Sequence, residues 1–110
     1  MKDDRGRLQD IQEAIERIER YAGRSEEDFK NDELLQTWVV YHLQIIGEAG
    51  RKVSSDLREA HPEIPWAQIV AMRNILVHDY FAVDVDEVWA VVKRDLSELK
   101  RNIAAILNSF

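Results

Sequence analysis

The chain has 110 residues, 45% of them hydrophobic and 33% charged, a balance that predicts one folded helical domain over residues 1–110 and excludes a disordered segment. Zero cysteines exclude disulfides and thiol catalysis, and four glycines with two prolines give too little punctuation for an all-β fold. A formal charge of −6 argues against indiscriminate binding to nucleic acid, DNA included, because that affinity comes from neutralised phosphates.

In chain order, the first helix is predicted over Asp4–Tyr21, where Leu8, Ile11, Ile15, Ile18 and Ala22 recur at three- and four-residue steps and Gly23 is a C′ residue. Met1-Lys2-Asp3-Asp4-Arg5 is not a signal peptide, and no apolar run approaches the roughly 20 residues of a membrane span, so a cytoplasmic protein without membrane contact is expected. Ser25-Glu26-Glu27-Asp28 has capping-box spacing and opens a single turn that carries Phe29 inward. Asn31 or Asp32 then caps a second long helix, Glu33–Val53, with an apolar stripe of Leu34, Leu35, Trp38, His42, Ile45, Ile46, Ala49 and Val53. His42, inside that stripe, reads as a buried, hydrogen-bonded histidine. Gly47 in mid-helix predicts a close approach of another helix or a ligand, since it otherwise costs about 1 kcal/mol against alanine.

Ser54-Ser55-Asp56 restarts the chain as a short helix through Ala60, and Pro62 and Pro65 enforce a connector into a third long helix, Pro65–Val77. Asp84-Val85-Asp86-Glu87 is a capping box for the last helix, whose stripe is Val85, Val88, Trp89, Val92, Leu96, Leu99, Ile103, Ile106 and Phe110. Four principal amphipathic helices with short connections predict an all-α, up-down four-helix bundle with short extra helical turns. Trp38, Trp66, Trp89 and Phe81 make an apolar surplus for so small a bundle, which predicts a homodimer.

The chemistry concentrates in Met72-Arg73-Asn74-Ile75-Leu76-Val77-His78-Asp79-Tyr80. Arg73 falls on the apolar stripe Trp66–Ile69–Val70–Val77–Tyr80, where a helix rarely puts a charge. A guanidinium is a permanent forked cation suited to phosphate, and a histidine moves protons both ways near neutrality. Together they suffice to cleave RNA without a metal or cofactor. On one continuous helix Arg73 and His78 are about 140° apart, so cooperation needs a bend near His78 or a second subunit. His61, His78, Glu48 and Asp79 show no metal-ligand spacing. Glu48, beside Gly47, is either a surface residue or a group that holds Arg73 or His78 from across the bundle. Acid crowds Glu26–Glu33 while Arg51, Lys52, Arg58, Arg73, Lys93 and Arg94 lie in the second half, which predicts a local basic cleft on an acidic protein.

Arg73-Asn74-x-x-x-His78-x-Tyr80 resembles the Arg-x4-6-His signature of the HEPN superfamily, in the Arg-x4-His-x-Tyr form of HepT-type toxins. Ile46-Gly47-Glu48-Ala49, His61-Pro62-Glu63-Ile64-Pro65-Trp66 and Tyr80-Phe81-Ala82-Val83-Asp84 resemble further segments of the same family in order, so the likeness runs from about Arg7 to Leu107. The resemblance implies the same all-α fold, a homodimer with two motifs facing each other, and metal-independent RNA cleavage by Arg73 and His78, supported by Asn74, Glu48 and Tyr80. It also implies an MntA-type nucleotidyltransferase antitoxin that adenylylates Tyr80. The competing expectation is a non-catalytic nucleotide- or partner-binding subunit of a nucleotidyltransferase, in which Arg73 grips phosphate without cleavage.

Overall fold

Leu8, Ile11, Ile15 and Ile18 form one fully buried ridge along the first helix, and that ridge lies on the second long helix. A computed structural model describes residues 3–22, 25–71 and 84–110. Its elements are α1 (Asp4–Ala22), α2 (Glu26–Lys30), α3 (Glu33–Lys52), α4 (Ser55–Ala60), the described part of α5 (66–71), α6 (Val85–Ala90), a π-helical turn (Val91–Asp95) and α7 (Leu96–Asn108). No strand occurs among the described residues. The expected C′ residue Gly23, Phe81 and the rest of the third helix to Val77 lie outside them.

The helix starts follow local capping chemistry. Ser25 Oγ accepts from the Asp28 amide (3.1 Å), Asp32 Oδ1 from Leu35 (3.0 Å) and Ser54 Oγ from Leu57 (3.2 Å). Of the two caps considered for α3, Asp32 is the one used. Asp84 Oδ1 accepts from Asp86 (2.9 Å) at the start of α6.

α1 and α3 are antiparallel, because Asp4 meets Ser54 at one end and Arg17 meets Trp38 nearer the other. Asp4 accepts from both the Ser54 amide (2.9 Å) and hydroxyl (2.6 Å), so one carboxylate fixes α1 to the restart of the chain after α3. Full burial of each ridge side chain contributes about 1.5–3 kcal/mol, and the α1–α3 seam is the most extensive contact between helices among the described residues.

The buried stripe of α3 is rotated from the expected one. Leu35, Val39, His42, Leu43, Ile46, Ala49 and Val53 are buried, Trp38 and Ile45 are only half-buried at the flank, and Leu34 is 84% exposed. Val39 and Leu43 are fully buried in the same core as the α1 ridge, and Trp38 closes the edge by donating its indole N–H to the Arg17 carbonyl (3.0 Å). His42 is buried as expected. Its Nδ1 lies 2.7 Å from the Trp38 carbonyl, which can only accept, so Nδ1 carries the proton. Its ring packs on Trp38 at 4.3 Å.

The last helix is not uniform. The π-helical turn at Val91–Asp95 widens the ladder between α6 and α7, and no cap, proline or glycine in the sequence announces it. The stripe continues through Val88, Val92, Leu96, Leu99, Ile103 and Ile106. Phe110, expected on it, is 59% exposed. The aromatic surplus is largely consumed internally: Trp66 is buried, and Trp89 packs on the fully buried Phe29 at 5.2 Å.

Phe29 is the apolar half of a clasp between α2 and α6 whose polar half is Lys30 to Asp86 (2.8 Å). Phe29→Ala is expected to destabilise the fold by about 3–5 kcal/mol, measured by urea denaturation, whereas Lys30→Ala, which breaks a solvent-exposed pair, is expected to leave the denaturation midpoint almost unchanged.

Candidate functional site

Arg73, Asn74, His78 and Tyr80 lie outside the described residues, as does Asp79. The structure describes what leads to them. Pro65 opens α5, and its carbonyl accepts from the Ile69 amide (3.0 Å). Trp66 donates its indole N–H to the His61 carbonyl (3.0 Å), which anchors the start of the helix to the connector. Ile64, Trp66 and Ile69 are buried.

Ile69 meets α3 at Gly50, where a Cβ would stand 3.1 Å from the Ile69 Cγ2 methyl. Gly50 thus takes a close approach one helical turn beyond Gly47, which is itself buried. This contact brings α5 against the turn of α3 that carries Glu48.

Glu48, the described member of the predicted site, accepts from Arg51 Nη2 (2.8 Å) and lies 3.1 Å from Lys52 Nζ, both at Oε1. Its side chain is 33% exposed. The hydrogen bond to Glu48, reinforced by its charge, holds the Arg51 guanidinium above its ordinary pKa. At least one oxygen of Glu48 thus serves two cations of its own helix.

His61, the other described histidine near the site, approaches Glu63 Oε1 with Nδ1 at 2.9 Å. A hydrogen bond from the Glu63 backbone, followed by the one from His61, holds the Glu63 carboxyl below the usual range. Among the described residues no three His, Asp or Glu side chains converge as metal ligands.

Two clefts flank α5. The larger, about 800 Å³, lies toward α6 and α7 and includes Glu63, Asp84, Glu87, Asp95 and Glu98 with Arg94 in its wall. The smaller, about 620 Å³, lies between the end of α3, α4 and α5, and its wall includes Arg51, Ser55, Arg58, Glu59 and Trp66. The expected basic residues are thus divided. Arg51 and Arg58 share the smaller cleft, Lys93 caps the Trp89 ring with Nζ 4.6 Å from its centroid, and Arg94 pairs with Asp95 (3.2 Å). The sequence signalled the arginines but not which would share a wall.

The profile of a family described as ribonuclease HepT-like matches residues 11–106. A "probable ribonuclease HepT" of Thermococcus cleftensis is 46% identical over 94 residues, covering 84% of this chain and 86% of that protein. A "putative RNase" of Caldanaerobacter subterraneus subsp. tengcongensis is 39% identical over 97 residues, covering 88% of this chain and 87% of the relative. A longer Methanocaldococcus jannaschii protein named "gamma-glutamylcyclotransferase and putative RNase" is 41% identical over 101 residues, 91% of this chain but 46% of that protein. No solved structure matches. With a family match that extends from within α1 to within α7 and relatives of this identity and coverage, the chain belongs to the ribonuclease HepT-like family.

Proposed function

We propose that the chain is a metal-independent endoribonuclease and the toxin of a pair with an MntA-type nucleotidyltransferase antitoxin. The observation that carries this is the complete Arg73/His78/Tyr80 set in a chain whose family match covers residues 11–106. A passive phosphate binder needs the arginine but has no use for a titrating histidine five residues later.

In the proposed reaction His78 takes the proton from a ribose 2′-OH, and that oxygen attacks the adjacent phosphorus. Arg73 neutralises the charge that builds on the phosphoryl oxygens. The P–O5′ bond breaks, and His78 of the second copy in a homodimer protonates the leaving oxygen. The products are a 2′,3′-cyclic phosphate and a 5′-hydroxyl. Asn74 is assigned to orient Arg73 or to donate to a phosphate, and Tyr80 to stack on a base or to hydrogen-bond near the cleft. Glu48 is assigned the holding of Arg73.

Incubated with tRNA in EDTA, the wild-type protein should generate cyclic-phosphate ends. Arg73→Ala and His78→Ala should each lower the rate at least about 100-fold with the helical circular dichroism intact. Arg73→Lys should recover little, because lysine lacks the planar fork. Near-wild-type cleavage by His78→Ala, or dependence on an added divalent ion, contradicts the mechanism.

The homodimer is supported by a row on α3 at steps of four, three and four: Leu34, 84% exposed, half-buried Trp38, Tyr41, 59% exposed, and half-buried Ile45. This is the spacing of a coiled-coil seam, and the next position on it is Glu48. Light scattering should give a dimer at micromolar concentration, and Tyr41→Glu should give a monomer with reduced cleavage. A fully active wild-type monomer removes the idea.

Adenylylation of Tyr80 would set a bulky nucleotide and negative charge beside Arg73 and block an RNA phosphate. Tyr80→Phe should keep most of the activity and escape silencing by the co-expressed nucleotidyltransferase, with the adenylate mass present on wild type alone. Full inhibition of the variant, or an unchanged adduct on it, counts against this control.

A further inference from the structure

The two clefts beside α5 differ in sign. The wall toward α6 and α7 sets five carboxylates against Arg94, whereas the wall toward α4 sets Arg51 and Arg58 against Glu59. At physiological salt, charges act over about 8 Å, so a polyanion responds to the wall it touches rather than to the net charge of −6. It is repelled from one side of α5 and accepted on the other.

The arginines also differ in what they already hold. Arg51 is hydrogen-bonded to Glu48 and Arg94 to Asp95. Arg58 is half-buried on the described surface, with no ion pair and no side-chain hydrogen bond among the described residues. A guanidinium held at a cleft wall with five unspent donors is suited to two oxygens of one phosphate. Ser55 supplies a hydroxyl in the same wall, and the mostly buried Trp66 forms part of an apolar boundary beside them.

We propose that this cleft binds the sugar–phosphate backbone of an RNA strand, with Arg58 as its free phosphate contact and Arg51, through its pair with Glu48, the link toward the catalytic residues. The proposal rests on the ribonuclease reading above and deepens it by assigning the path of the substrate outside the reacting phosphate. The placement fits the chain: Val70 and Ala71 line the same cleft, and Arg73 comes two residues later. A strand lying here is directed along α5 toward the motif. Phosphate contacts of this kind position the nucleic acid without reading its sequence.

The test is fluorescence anisotropy of fluorescein-labelled tRNA titrated with His78→Ala protein, which binds without consuming it, across a potassium chloride series. Adding Arg58→Ala is expected to weaken binding about tenfold near 0.1 M salt and to make the log–log salt slope shallower by about 0.9, the value of one lost phosphate contact. Arg58→Lys is expected to keep the slope, which separates loss of charge from misfolding. Arg94→Ala, on the acidic side, is expected to change neither quantity. Unchanged affinity and slope in Arg58→Ala overturn the proposal. So does normal tRNA binding by that variant together with loss of a co-expressed nucleotidyltransferase, which would assign the cleft to a protein partner. The underlying reading fails separately. If the chain with His78 intact leaves tRNA uncut while the Arg58-dependent slope persists, the backbone site stands and the cleavage assignment falls. If that chain cleaves and Arg58→Ala cleaves with unchanged KM, the assignment stands and the backbone site falls.

Discussion

The contact on which the described structure depends is the antiparallel seam between α1 and α3, where Leu8, Ile11, Ile15 and Ile18 disappear completely against Val39, Leu43 and Ile46. Among the described elements α3 is the partner that α1 contacts most, with α7 second. Once the seam is made, its ends place the remaining elements. Asp4 holds Ser54 and hence the start of α4, and Glu19 accepts from Lys100 at 2.8 Å and ties α7 to the far end of α1. The Lys100 ammonium is held above its ordinary pKa by that same carboxylate. Polar contacts of this exposed kind add little energy. They select one arrangement among those that the apolar ridge permits.

The second constraint is steric. A glycine at position 50 leaves 3.1 Å between an imagined Cβ and the Ile69 methyl, so α5 reaches α3 at a distance that a larger residue would oppose. This approach puts the turn bearing Glu48 beside α5, whose described part ends two residues before Arg73 in the sequence. It also creates two unlike surfaces around that helix, because α4 and the end of α3 carry Arg51 and Arg58 while α6 and α7 turn carboxylates to the other side. A protein with an excess of acid can in this way present a positively charged wall to an anionic substrate, with the repelling groups kept behind the helix.

A ribonuclease of this size has few residues for separate tasks, and α3 shows how they are shared. One face of the helix packs on α1, and another carries the exposed row from Leu34 to Ile45. Its last two turns supply Glu48, Gly50 and Arg51 to the surroundings of α5. The Arg51–Glu48 hydrogen bond ties a residue of the basic cleft to Glu48 on the preceding turn of the same helix.

The sequence alone determined what depends on neighbours along the chain. The starts of α2, α3, α4 and α6 were legible, because Ser25, Asp32, Ser54 and Asp84 satisfy free amides within three residues of themselves. The α1 ridge was legible from its three- and four-residue steps, and the family from Arg73, His78, Tyr80 and their flanking segments. Tertiary structure alone decided how far α3 is rotated: its sequence offers apolar residues on more than one face, and only the fit of α1 against Val39 and Leu43 leaves Leu34 in water. It also decided that Gly50 receives Ile69, since a glycine's partner is unknown until a helix from elsewhere in the chain arrives. The π-helical turn at Val91–Asp95 has no local signal, because it is a property of the backbone ladder within the packed helix. The same holds for charge. Arg51 and Arg58 stand seven residues apart and Arg94 far beyond them, and three-dimensional packing decides which of these arginines share a wall and which of them has no ion pair among the described residues.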